Sequence, residues 1–284
     1  MTVVKLRKTL RQIGRLLAVH SMLDLMLMTR STAEFWIWAI TDTIMNAAAV
    51  AGMVMLATRF HGIGGWSQPQ IIFMLGFGAF SKGMVNLLFG YNVSAISRRI
   101  GRGQLDHTLI QPQPLWMAFL TEGFNPAFGL PTLVPGGALL VWSLAHMQFH
   151  SGPAWWLRFV GYMFCSIAMV IAFQWLWGST AFYAPRAAEE INSATSELME
   201  DLKTFPLSGR SPAVRDMLLT AVPAGFVAWA PCAALLGVPG GLHPMLAPAA
   251  SAIFCGLALL AFHRGLAYYQ ISGSQRYSDF GHRR

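Results

Sequence analysis

The chain has 284 residues, 55% of them hydrophobic and only 11% charged, with a mean hydropathy of +0.48. A soluble globular domain wets its surface with roughly 25% charged residues, so this composition excludes an ordinary soluble enzyme and indicates a chain solvated mostly by lipid. At about 20 residues per span, the length holds around six membrane helices and leaves no room for a large nucleotide-hydrolysing domain.

Residues 1–30 form the first predicted element. At about 100° per residue, Leu6, Leu10, Ile13 and Leu17 gather on one side, and Arg7, Lys8, Arg11 and Arg15 take the other. This is the pattern of an amphipathic helix in the headgroup region, its basic face toward anionic lipid or a cytoplasmic partner. The same arginines interrupt the leader, so a cleavable signal peptide is not expected. The first span is expected near 35–57, opening on Phe35, Trp36 and Trp38 at an interface. The second lies near 71–90 and is rich enough in Gly for close helix contact. A polar loop, 91–114, follows. The next apolar segment starts at Leu115 and is broken by Pro126, Pro131 and Pro135. Its first part reads as a separate interfacial helix ahead of a third span near 122–145. The fourth span is expected near 155–183, a long polar loop over 184–213, and the last two spans near 214–237 and 245–271. The fold class is therefore all-α: a single polytopic membrane domain with six transmembrane helices, an N-terminal amphipathic interface helix and a short cytoplasmic helix in the first polar loop.

Lys and Arg fix the orientation. Six precede the first span, three lie in loop 91–114, four in and beside loop 184–213 and four in the tail, whereas the alternate connections hold only Arg59. The positive-inside rule then puts both termini in the cytoplasm. The same bias accounts for the formal charge of +8 and the pI near 9.9, so no nucleic-acid partner is expected. Trp66, Trp142, Trp155 and Trp156 fall at the outer interface, and Trp36, Trp38, Trp116, Trp175 and Trp177 near the inner one. Cys165, Cys232 and Cys255 all sit in apolar runs and read as small packing residues.

No GxxxxGK[ST], HExxH, GxSxG or paired His/Cys metal spacing occurs in the chain, so no catalytic residue, bound cofactor or metal is expected. The informative stretch is the first polar loop. Asn92 or Ser94 can cap a short helix, Ile96 and Ile100 share a face at i, i+4, Arg98 and Arg99 point elsewhere, and Gly101 and Gly103 end it. Such a helix is either a rigid peg for another protein's groove or a connector held against lipid.

The run Ile100-x-x-Gly103-x-Leu105-Asp106-x-x-Leu109-x-x-Pro112 resembles the loop signature of permease subunits in type-2 ATP-binding-cassette (ABC) exporters, the six-span group often found in paired-permease operons. Gly65-Trp66, Phe205-Pro206-Leu207 with Pro212, and Val222-Pro223 with Pro231 agree in order. The chain departs from the pattern at Gln104 and Gln111, where the family usually carries Glu and Arg. The resemblance implies a bacterial inner-membrane permease that pairs with a second permease, identical or homologous, and with cytoplasmic ABC ATPase subunits, which bind the ATP and magnesium. It also implies that 94–112 is the coupling helix, moved as a rigid body through Ile96, Arg98, Arg99, Ile100, Gly103, Leu105, Asp106, Leu109 and Pro112.

Charges inside spans are costly and usually paired. Asp42 lies roughly 10 Å and Lys82 roughly 12 Å from the inner ends of their spans at about 1.5 Å per residue, and Glu122 is near the start of the third. Lys82 is expected to pair with Asp42 or Glu122, with Asn46 and Asn86 adding hydrogen bonds. In loop 184–213, Ile191, Leu198, Leu202 and Phe205 recur at helical spacing among Glu189, Glu190, Glu197, Glu200 and Asp201. That predicts an amphipathic helix with its acidic side in water, or in contact with a partner subunit. Residues 238–248 are either a re-entrant element or a tight loop. The readings that compete with an ABC permease are an ATP-independent transporter or channel, and a structural subunit of a membrane complex.

Overall fold

The computed structural model describes residues 2–30, 32–59, 65–94, 96–147, 152–204, 206–207, 211–238 and 241–273, and the regular elements among them are helices. In chain order they are α1 (Thr2–Arg30), α2 (Thr32–Arg59), α3 (Gln68–Ser94), α4 (Ile96–Gly101), α5 (Gln104–Leu109) and α6 (Leu115–Glu122). Then come α7 (Pro126–His146), α8 (Pro153–Gly178), α9 (Pro185–Leu202), α10 (Pro212–Thr220), α11 (Trp229–Leu236) and α12 (Leu246–Ser272). Four stretches among the described residues are long and apolar enough to cross a membrane: Gln68–Gly90, Phe128–His146, Pro153–Phe182 and Leu246–Ser272. A fifth is the bent pair formed by α10 and Pro223–Leu236, which meet at 73°. This is an all-α polytopic membrane protein. The first expected span, 35–57, falls within α2, many of whose side chains lie outside the described ones, Asp42 and Asn46 included.

In α1, Lys8, Arg11 and Arg15 are exposed toward the front, and Val19, Met22, Leu23, Leu25 and Met26 toward the back. A basic half followed by an exposed apolar half suits a helix at a lipid boundary. The bundle itself is built on the pairs α3 with α7 and α8 with α12. Gly76 and Gly83 on α3, and Gly129 and Gly136 on α7, each recur after seven residues and so share a helix face. A Cβ at Gly83 would lie 2.6 Å from the Leu133 backbone, and one at Gly136 2.5 Å from the Phe80 amide nitrogen. In lipid, where hydrophobic burial does little to join helices, such backbone contact supplies the packing.

The α8 helix joins the two pairs. Phe159 packs edge-on to Phe77 at 5.6 Å between centroids, and Trp155 lies 6.2 Å from Phe73. Ser251 of α12 donates to the Cys165 carbonyl at 2.9 Å. The break after α10 has a local cause: Pro223 has no N–H to continue a helix, and Val222 is extended. Past it, Ser166 donates to the Val227 carbonyl and Trp155 Nε1 to the Leu235 carbonyl, so α11 runs along α8 toward the end opposite α4. Of the two readings of 238–248, a re-entrant element or a tight loop, the described residues show no helix between α11 and α12, and the break in the chain's course lies earlier, at Val222–Pro223. The separate helix expected ahead of the third span is α6, which ends at Glu122, and the long helix of that segment starts at Pro126 rather than 122 and runs on through Pro131 and Pro135.

Candidate functional site

The loop between α3 and α6 folds as two short helices, α4 and α5. Gly103 stands between them with φ 69°, a left-handed conformation that glycine adopts at little cost, and its N–H donates to the Ile100 carbonyl at 3.0 Å. This sharp turn lays α4 and α5 against one another. Ile96, Ile100 and Leu105 are buried together with Phe119, Phe182 and Phe262, so the i, i+4 isoleucines face into the molecule. The surface of the peg is formed instead by Arg102, Gln104, His107, Leu109, Ile110 and Pro112, with Ile110 81% exposed.

Polar contacts tie the peg to three other helices. Arg99 forms an ion pair with Glu122 of α6 and donates to Thr108 Oγ1 at 2.8 Å, its guanidinium 5.3 Å from the Phe119 ring centroid. Arg98 Nε meets Glu189 of α9 at 2.7 Å, with Arg102 3.8 Å from the same carboxylate, and Asn192 of α9 donates to Ser97 Oγ at 3.0 Å. Tyr269 of α12 donates to Asp106 Oδ1 at 2.6 Å. Gln111, one of the two departures from the ABC pattern, donates its amide to Glu122 at 3.3 Å. The Arg99–Glu122 pair, with side chains 11% and 15% exposed, is the largely buried one among the ion pairs just described, where a charge-assisted bond resists separation far better than a surface pair. These bonds join α4 and α5 to the adjacent ends of α6, α9 and α12.

Among the described side chains, Lys82 and Glu122 pair with other residues rather than with each other; Asp42 lies outside those described. Lys82 meets Glu200 of α9 at 3.3 Å, and Lys203 meets the same carboxylate at 2.6 Å. Glu122 is taken by Arg99, and Asn86 is half-buried one turn beyond Lys82. The physical reason is the course of α9, which climbs from Arg98 at its start to the level of Lys82 at its end. Burial raises the Glu200 carboxyl, but the Lys203 and Lys82 ammonium groups more than offset this and hold it below its ordinary value. Burial lowers Lys203, with Glu200 opposing.

Of the residues singled out in the loop, the structure brings Arg98, Arg99, Ile96, Ile100, Leu105 and Asp106 into the inner half of the peg and leaves Leu109 and Pro112 on its surface. Sequence reasoning missed Ile110, Thr108, Glu200, Lys203 and Tyr269 as participants. Ile110 could have been found as an apolar residue stranded between His107 and Gln111. Tyr269 is 163 residues from its partner and carried no local signal. Among the described residues, no group of three or more His, Cys, Asp or Glu side chains is placed to hold a metal ion.

No curated protein and no solved structure matches the chain in comparisons with known proteins. A family model described as ABC-2 family transporter protein matches residues 43–273, a stretch that includes the peg, every helix bonded to it and all the candidate spans. The chain belongs to the ABC-2 transporter family and is a permease subunit of an ABC transporter.

Proposed function

We propose that this permease works as half of the membrane pathway of an ATP-driven exporter, docking a separate ATPase through the exposed edge of α4 and α5. The observation that carries this reading is the two-sidedness of the peg. One side is buried and bonded to α6, α9 and α12, while the other presents Leu109 and, among the described residues, an 81% exposed Ile110. An apolar knob on a rigid base is what a groove in a moving partner can grip. Closure of an ATPase dimer on ATP and magnesium then pushes the peg, and the bonded helix ends follow as one body, turning the cavity from inward to outward access. The lysine and arginine bias supports a bacterial inner-membrane orientation with the peg and both termini in the cytoplasm. Counting α2 and the bent pair as spans gives six, and a second permease, identical or homologous, completes the pathway.

Co-purification tests the assembly. A tagged chain expressed with its ATPase is expected to bring that subunit down in stoichiometric amount, and transport is expected to cease when the ATPase is inactivated. Transport by the chain reconstituted alone would overturn the reading.

A further inference from the structure

At the end of the bundle opposite the peg, a cavity of about 410 Å³ opens between α8, α11 and the start of α12. Its walls are Gly161, Cys165, Ala234 and Pro248, Tyr162 fixes its roof by donating to the Pro244 carbonyl at 3.0 Å, and Arg158 stands at its mouth. Arg158 lies about 7 Å below the start of α8 and Cys165 about 18 Å below it, at about 1.5 Å per residue. The cavity therefore runs from the glycerol level of a leaflet into its acyl layer. No Asp or Glu occurs over 43–105, 123–188 or 217–278, so neither α8, α11 nor α12 can supply Arg158 with a carboxylate, and a second copy of the chain offers none at this end either. The N-terminal end of α12, with its partial positive charge, borders the same space through Pro248. We infer that this cavity is a binding site for one anionic phospholipid of the leaflet opposite the peg, its phosphate on Arg158 and an acyl chain along Gly161 and Cys165. An arginine that merely snorkels meets passing headgroups. Here the walls below it also hold the chain.

Two variants test the two halves of the site. Arg158→Gln removes the charge, and Gly161→Trp fills the space without touching the charge; a Cβ at Gly161 meets no atom within 4 Å, so the new side chain starts in open space. In native mass spectrometry of the purified protein, wild type is expected to retain phosphatidylglycerol about tenfold over phosphatidylcholine, the scale of one charged hydrogen bond. Both variants are expected to lose that preference, and Arg158→Lys to keep most of it. Phosphatidylglycerol is also expected to raise the wild-type Tm, with inorganic phosphate having no effect. Equal retention of the two lipids by wild type, unchanged phosphatidylglycerol retention in both variants, or the same Tm rise with inorganic phosphate would overturn the assignment.

Discussion

Arg99 meets a carboxylate, a hydroxyl and an aromatic face at once, and its side chain is only 11% exposed. Removing it leaves Glu122, itself 15% exposed, as a buried charge without its cation. Arg99→Ala is expected to cost about 3–5 kcal/mol, read as a large fall in Tm, and Arg99→Lys to recover only part of it because the planar fork is lost. An unchanged Tm in Arg99→Ala would deny the pair its structural role. Glu200 makes a second, pH-dependent contribution. Its folded pKa lies below the ordinary 4.5, so the unfolded chain binds its proton first, and the stability it supplies is full above that value and lost as pH falls through the folded one. Lys203, depressed from 10.5, acts in the same direction, stability rising as pH climbs from its folded value to the ordinary one. Glu200→Gln is therefore expected to flatten the fall of Tm as pH drops below the ordinary 4.5. An acid limb as steep as wild type would contradict this. The need of Lys82 for a buried partner was legible in the sequence. Its partner was not, because Lys82 and Glu200 are joined only by the climb of α9.

At the scale of elements, the α3–α7 contact depends on absent side chains. Gly83→Ala is expected to destabilise by about 1–3 kcal/mol through overpacking against the Leu133 backbone. Gly256→Ala on α12, where a Cβ meets nothing within 4 Å, is expected to be neutral. Equal Tm values for the two variants would remove the close-packing account. The spans near 71–90, 155–183 and 245–271 could be read from hydropathy because lipid demands long apolar runs. Gly spacing in 71–90 likewise pointed to close contact. The amphipathic helix in loop 184–213 could be read too, but its faces could not. Ile191 and Leu198 of the predicted apolar stripe are exposed, while Ala188, Asn192, Met199 and Lys203 are buried. A polar inward face is stable only because Ser97 and Glu200 supply the bonds, and a one-dimensional hydrophobic pattern cannot register partners that tertiary folding supplies. The peg misled for the converse reason. Its i, i+4 isoleucines looked like a docking face, yet the turn at Gly103 rolls them into the core.

The whole molecule concentrates its charge at one end. Lys and Arg gather around the peg, and acidic residues are absent from the far half of the bundle, so the orientation can be read chemically. In a cysteine-free background, His243→Cys is expected to react with an impermeant thiol reagent in intact cells, and Gln104→Cys only after permeabilisation; the reverse pattern would invert the topology. In the proposed mechanism, force enters through the exposed edge of the peg and leaves through its buried bonds. Its most direct test is ATP turnover by the reconstituted permease–ATPase complex carrying Ile110→Asp. The expected result is a loss of transport-coupled turnover by at least about tenfold, the effect of one interface hot spot, with the permease's Tm unchanged. Turnover at the wild-type rate would contradict it.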